Sequence, residues 1–190
     1  FMRTYDEGPS FIRYPRGNVA PEPLVNDVPP FELGRAMQVR AARSAKPDLA
    51  IVAYGSEVYE ATRAIDQLEP QGYDIALYDA RFAKPVDIDL IRRLVEANIT
   101  ILTVEEHSLI GGFGAAVLEA CNERRIAADG IHRLGMPDRW IYQDSRDGQL
   151  EQVGLDAAGI ARTVLQILDA RVRMVPTVLP GMKKPAKAAR

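Results

Sequence analysis

Residues 49–56 read LAIVAYGS, six uncharged residues closed by Gly55 and Ser56. A short apolar run that ends in a turn signal has the pattern of a strand buried on both faces. The period then changes. Val58, Ala61, Ile65 and Leu68 recur three and four residues apart, the spacing of one helix face, and Gly72 follows the end of that helix. Ser56 is placed to cap it.

The same alternation continues downstream. DIALYD (74–79) reads as a second strand, and Pro85 and Asp87 lead into a helix with Ile88, Ile91, Leu94 and Val95 on one face. ITILTV (99–104) is a third strand. Gly111, Gly112 and Gly114 open a helix carrying Phe113, Ala116, Val117, Ala120 and Cys121. IHRL (131–134) is a weaker strand, and Asp156 caps a last helix with Ile160, Val164, Ile167 and Leu168. Strands alternating with helices imply crossover connections and a parallel sheet covered on both faces. GRAMQVRAA (34–42) is too polar for a central strand and suits an exposed edge. The expected fold is a three-layer α/β domain.

Outside the domain the pattern fails. NVAPEPLVNDVPPFE (18–32) holds four prolines and no sustained period, as an extended linker does. The segment before it, which includes GPSFIRYPRGN (8–18), is too short to be a domain and reads as the end of a preceding one. Residues 171–190 carry six basic side chains and no acid, which leaves the rest of the chain at a net charge of −8. Such a tail is able to contact polyanions, but Pro176, Pro180, Gly181 and Pro185 favour a solvated, disordered terminus, and no nucleic-acid partner is expected.

Composition excludes several classes. A chain of 190 residues, 47% of them hydrophobic, can bury a core without a disulfide or metal staple. Its one cysteine, Cys121, allows no intrachain disulfide and fits a reducing cytoplasm. No apolar run approaches the ~20 residues that span a bilayer, and residues 1–10 do not resemble a signal peptide. A cytoplasmic location with no membrane partner is expected.

In an open α/β sheet, ligands gather at the carboxyl ends of the strands. Gly55, Ser56 and Glu57 follow the first strand, and Asp79, Arg81, Phe82 and Lys84 the second. Glu105, Glu106, His107 and the GGFG loop follow the third, and Gly135, Met136, Pro137 and Asp138 the fourth. The GGFG loop is either an anion cradle at a helix start or a close-packing device, and packing is the favoured reading. Glu105 and Glu106, adjacent on an extended segment, point to opposite faces. Each is a general base, a helix cap or the partner of an arginine, and the last two are favoured. His107 and His132 lack metal-ligand spacing, and neither Ser56 nor Ser108 sits in a G-x-S-x-G elbow. Arg13, Arg16 and Arg81 carry planar forks suited to phosphate or carboxylate, or to interfacial salt bridges.

Four motifs, in order, carry a resemblance: IRYPRGN (12–18), DARFAKPVD (79–87), TVEEHSLIGGFG (103–114) and LGMPDRWIYQDSRDGQLEQVGLDAAGI (134–160). Together they resemble the C-terminal part of 1-deoxy-D-xylulose-5-phosphate synthases, members of the thiamine-diphosphate-dependent transketolase family. The resemblance implies a transketolase C-terminal-domain-like α/β/α fold, mostly parallel with one antiparallel edge strand, over residues 33–170. Residues 1–17 would be the tail end of a pyrimidine-binding domain, 18–32 the linker and 171–190 the tail.

By the same resemblance, Arg13 and Arg81 match positions that bind the substrate phosphate, and Arg16 is left as structural. The intact enzyme would condense pyruvate with D-glyceraldehyde 3-phosphate, with loss of CO2, using thiamine diphosphate and Mg2+, as a homodimer. Asp129-Gly130 and Asp147-Gly148 do not form the family's GDG metal motif, and its activating glutamate lies upstream of residue 1. No catalytic, cofactor-binding or metal-binding residue is therefore expected in this chain, which alone would be inactive. The alternatives are the C-terminal domain of a transketolase or of a 2-oxo-acid dehydrogenase beta subunit, and a non-catalytic assembly module.

Overall fold

Alternate residues of LAIVAY serve two cores. Leu49, Ile51 and Ala53 belong to one, Ala50 and Val52 to the other, and these five are at most 2% exposed. The computed structural model describes residues 1–14 and 23–174, with side chains up to residue 170. The elements are β1 (Met37–Arg40), β2 (Leu49–Tyr54), α1 (Glu57–Leu68), β3 (Ile75–Asp79), α2 (Ile88–Glu96), β4 (Thr100–Ser108), α3 (Phe113–Glu123), β5 (Ile131–Met136), α4 (Arg146–Val153) and α5 (Ala157–Met174).

The sheet order is β1-β3-β2-β4-β5. β3, β2, β4 and β5 run parallel, and β1 is an antiparallel edge strand on β3. One face packs on α1 and α5 through Val58, Ala61, Ile65, Ile160 and Val164, with Leu150 of α4 joining them. The other packs on α2 and α3 through Leu90, Ile91, Leu94, Phe113, Val117 and Cys121. Burial of each large apolar side chain stabilises the fold by roughly 1.5–3 kcal/mol. Cys121 is one of these packing residues, and burial pushes its thiol pKa up.

The edge strand is short and pinned at both ends. Asp87 caps α2 by accepting Leu90 N–H at 3.0 Å, and its other oxygen accepts Ala36 N–H at 2.9 Å, just before β1. Past the far end of β1, Asp74 accepts the N–H groups of Arg43 and Ser44 at 2.8 and 2.9 Å. Burial alone would push the Asp74 carboxyl up, but bonds from the Ser44 hydroxyl and these backbone groups hold it below the usual carboxylate range. At the start of α5, Asp156 accepts Gly159 N–H at 3.1 Å, as an N-cap does.

Four local expectations change. Ser56 makes no capping bond to α1, because its hydroxyl is turned to Glu106. β4 runs on to Ser108, so Glu105, Glu106 and His107 lie within the strand rather than past it. α4 was not anticipated. It is bounded by Ser145, which accepts Gly148 N–H at 3.1 Å, and by Gly154 at φ 72°. Residues 171–174, read as the start of the tail, belong to α5, which is described as far as Met174. Arg16, residues 18–22 of the linker and residues 175–190 lie outside the described residues.

Candidate functional site

The chain passes from β2 to β3 on one side of β2, then to β4 on the other. Ligands of open α/β sheets bind in the crevice outside such a switch point. An open cavity of about 270 Å³ lies there. Tyr54, Gly55 and Ser56 line it from the end of β2, Glu106 and His107 from β4, and Arg13 and Tyr14 from the N-terminal segment. Tyr54 stacks on Phe113 of α3 with centroids 5.3 Å apart, which fixes one wall.

Glu106 meets an arginine, as expected, but one that the sequence reading had not singled out. Nη2 of Arg146, the first residue of α4, donates to Oε2 of Glu106 at 2.5 Å, and Nε donates to Oε1 at 3.3 Å. The same Nη2 donates to Ser56 Oγ at 3.1 Å, and that hydroxyl donates to Glu106 Oε2 at 3.1 Å. Hydrogen bonding to Glu106 raises the Arg146 pKa, so the guanidinium stays charged. Beneath this group lies Glu57, fully buried, with Oε1 3.5 Å from Arg146 Nη2. Neither of its oxygens has a hydrogen-bond partner among the described residues. Burial, reinforced by the Glu106 charge and opposed by Arg146, pushes the Glu57 carboxyl up to about 8.

Glu105 turns to the opposite face and caps α3. Its two oxygens accept the N–H groups of Phe113 and Gly114 at 2.5 and 2.8 Å. The glycines around it pack closely, as favoured. A Cβ on Gly112 would run into the Glu105 carboxylate and the Ser108 carbonyl, and one on Gly114 would sit 2.6 Å from Thr103 Oγ1. The helix start offered as the alternative anion cradle already holds a carboxylate of the chain itself.

The two arginines read as phosphate ligands are differently placed. Arg13 lines the cavity. Arg81 is not among the lining residues. Its φ is 56°, uncommon for a residue with a side chain. Its guanidinium donates to the carbonyls of Pro29 and Pro30 at 3.1 and 3.2 Å and lies 4.4 Å from the centroid of Phe31. Burial raises the neighbouring Asp79 carboxyl, which accepts Arg81 N–H at 3.0 Å.

These residues do not fit a resident metal–diphosphate cofactor. Among the described residues no three His, Cys, Asp or Glu side chains converge as metal ligands, and Glu105 fills the glycine-rich helix start. No described helix is long and apolar enough to cross a membrane.

Comparison with known proteins places the fold in a family. A solved structure described as a split-gene transketolase, an inactive beta4 tetramer, superposes with a TM-score of 0.61 at 29% identity, covering 73% of this chain and 44% of that one. Among curated proteins, the 1-deoxy-D-xylulose-5-phosphate synthase of Synechococcus sp. (strain JA-2-3B'a(2-13)) is 38% identical over 93% of this chain. That of Listeria welshimeri is 39% identical over 86%. The chain spans 27% and 25% of the lengths of these two relatives, about a quarter. The family described as the C-terminal domain of transketolase matches residues 38–160, which run from the edge strand into α5. On that match, the chain belongs to the transketolase C-terminal domain family.

Proposed function

We propose that the chain is the C-terminal section of a 1-deoxy-D-xylulose-5-phosphate synthase. The intact protein then condenses pyruvate with D-glyceraldehyde 3-phosphate, with loss of CO2, as a cytoplasmic homodimer. The observation that carries this reading is identity of 37–39% with proteins of that name over 83–93% of the chain. Thiamine diphosphate and Mg2+ supply the carbanion chemistry from parts of the protein outside these residues. In this reading residues 1–17 end the pyrimidine-binding domain, 18–32 link it to the domain that starts at residue 33 and includes α5 through Met174, and the basic residues beyond form a tail.

The chain's own contribution is to hold the substrate. Arg13, on the cavity at the switch point, and Arg81, beneath the linker, anchor the phosphate of the triose. Arg81 joins by exchanging two neutral carbonyl acceptors for an anionic one, since charge-assisted bonds are roughly twice as strong. A remote dianion supplies binding energy that orients the reacting aldehyde. A transketolase reading also has support, from the solved neighbour.

The test is turnover by the intact protein that carries these residues. Consumption of pyruvate plus triose phosphate, without use of ketose donors, is the expected result. A preference for ketose donors would move the assignment to transketolase. Turnover by the 190-residue chain alone would overturn the placement of the cofactor chemistry outside it.

A further inference from the structure

Glu106 and Arg13 line the same cavity with opposite charges. A carboxylate there repels the anion that Arg13 attracts, unless another group cancels it. Arg146 is placed to do so. It grips both oxygens of Glu106 and closes a three-membered ring of hydrogen bonds with Ser56. This is a two-point hold on a part-buried carboxylate, unlike a loose surface pair.

The surrounding charges are balanced too. On α1, Glu60 is paired with Arg63, and its second oxygen accepts Ala157 N–H at 3.1 Å. Glu57, buried and without hydrogen bonds among the described residues, sits where the neutral acid is favoured. Of the charged residues lining the cavity, Arg13 alone has no ion-pair partner among the described residues.

Building on the reading of Arg13 as a phosphate anchor, we infer that Arg146 is a positioning residue of this cavity: by holding and neutralising Glu106, it makes the cavity a receptor for a dianionic group. Arg146 acts through Glu106 and need not touch the ligand. The groups facing Glu57 are Glu60 and Arg63 from α1, Glu106 from β4 and Arg146 from α4. Its ionisation, near pH 8, adds a negative charge behind the cavity and weakens anion binding.

The probe is inorganic sulfate, a tetrahedral dianion of constant charge between about pH 6 and 9. Its binding to the 190-residue chain is followed by backbone amide shifts at Ser56, Glu106 and His107. Arg146→Ala weakens binding by about fivefold or more, fivefold being the scale of one unit charge acting on a dianion about 8 Å away at the dielectric of water. Glu106→Gln tightens it, and the double variant Arg146→Ala/Glu106→Gln returns to within about twofold of wild type. A packing role for Arg146 leaves the double variant as weak as the single one. Between pH 7 and 9 the wild type loses affinity and Glu57→Gln does not.

Sulfate binding that needs Arg13 but is unmoved by Arg146→Ala overturns the inference and leaves the phosphate anchor standing. Absence of binding, or binding unaffected by Arg13→Ala, overturns both. Should Arg146→Ala not fold, Glu106→Gln decides alone: affinity unchanged or weaker than wild type overturns the inference.

Discussion

The carboxylate of Glu105 accepts the backbone N–H of Phe113 at 2.5 Å and also takes that of Gly114, so a side chain of β4 closes the N-terminus of α3 from within. Its position is buried, and charge-assisted bonds to backbone donors are among the stronger ones. Glu105→Ala leaves two donors unmet and a void behind them. Denaturant unfolding is expected to show a loss of about 2–4 kcal/mol. A loss below about 0.5 kcal/mol would mean that the cap contributes nothing that solvent cannot replace.

Gly112 and Gly130 make a matched pair of tests. Gly112→Ala drives a methyl group into the Glu105 carboxylate and the Ser108 carbonyl, neither of which can yield easily, whereas a Cβ on Gly130 meets nothing within 4 Å. The first is expected to destabilise by about 1–3 kcal/mol, as overpacking does, and the second to stay within about 0.5 kcal/mol of wild type. Equal melting temperatures for the two variants would show that the α3 start relaxes freely.

Glu57 links stability to pH. Its carboxyl is held up at about 8 in the fold and returns to the ordinary carboxylate range on unfolding. Between those values the folded chain binds the extra proton. The stabilisation from this group is complete below the ordinary range and is lost as pH rises through about 8. The slope is at most about 1.4 kcal/mol per pH unit for one proton. Unfolding curves from pH 5 to about 9 are expected to differ between wild type and Glu57→Gln by this slope, with the variant flatter. Parallel curves would place Glu57 among ordinary carboxylates.

Arg81 ties the linker to the sheet through two carbonyls and the ring of Phe31. Arg81→Ala is therefore expected to act locally. Amide exchange in residues 31–36 accelerates by about tenfold, the equivalent of 1.4 kcal/mol, while the β2 and β4 amides keep their protection. Unchanged exchange near Phe31 would show that the linker is held by other contacts.

Much of this fold was legible because parallel strands bury both faces. LAIVAY and ITILTV stand out as uncharged runs, and the intervening helices repeat their apolar residues at helical spacing. α4 escaped notice because Leu150 is its only fully buried side chain, so no apolar stripe marks it. Its signals were the capping Ser145 and the terminal Gly154. The candidate site was readable as a set of strand ends but not as a cluster. Ser56 meets Glu106 only because β2 and β4 are neighbours, and strand order is a property of the assembled sheet. Arg146 reaches them across forty and ninety residues, where local pattern carries no information. For Arg81, the fork past a strand end was visible, but the carbonyls that occupy it belong to the linker.

The pins on β1 also set an order of events during synthesis. Ala36 waits for Asp87, fifty-one residues later, and Arg43 waits for Asp74, thirty-one residues later. Its pairing partner β3 also emerges after it. The earliest of the five described strands to be synthesised is thus among the last to settle, and until then its backbone donors remain open to any passing strand edge. A chaperone that shields residues 36–44 during this interval would protect the edge at which β1 docks on β3.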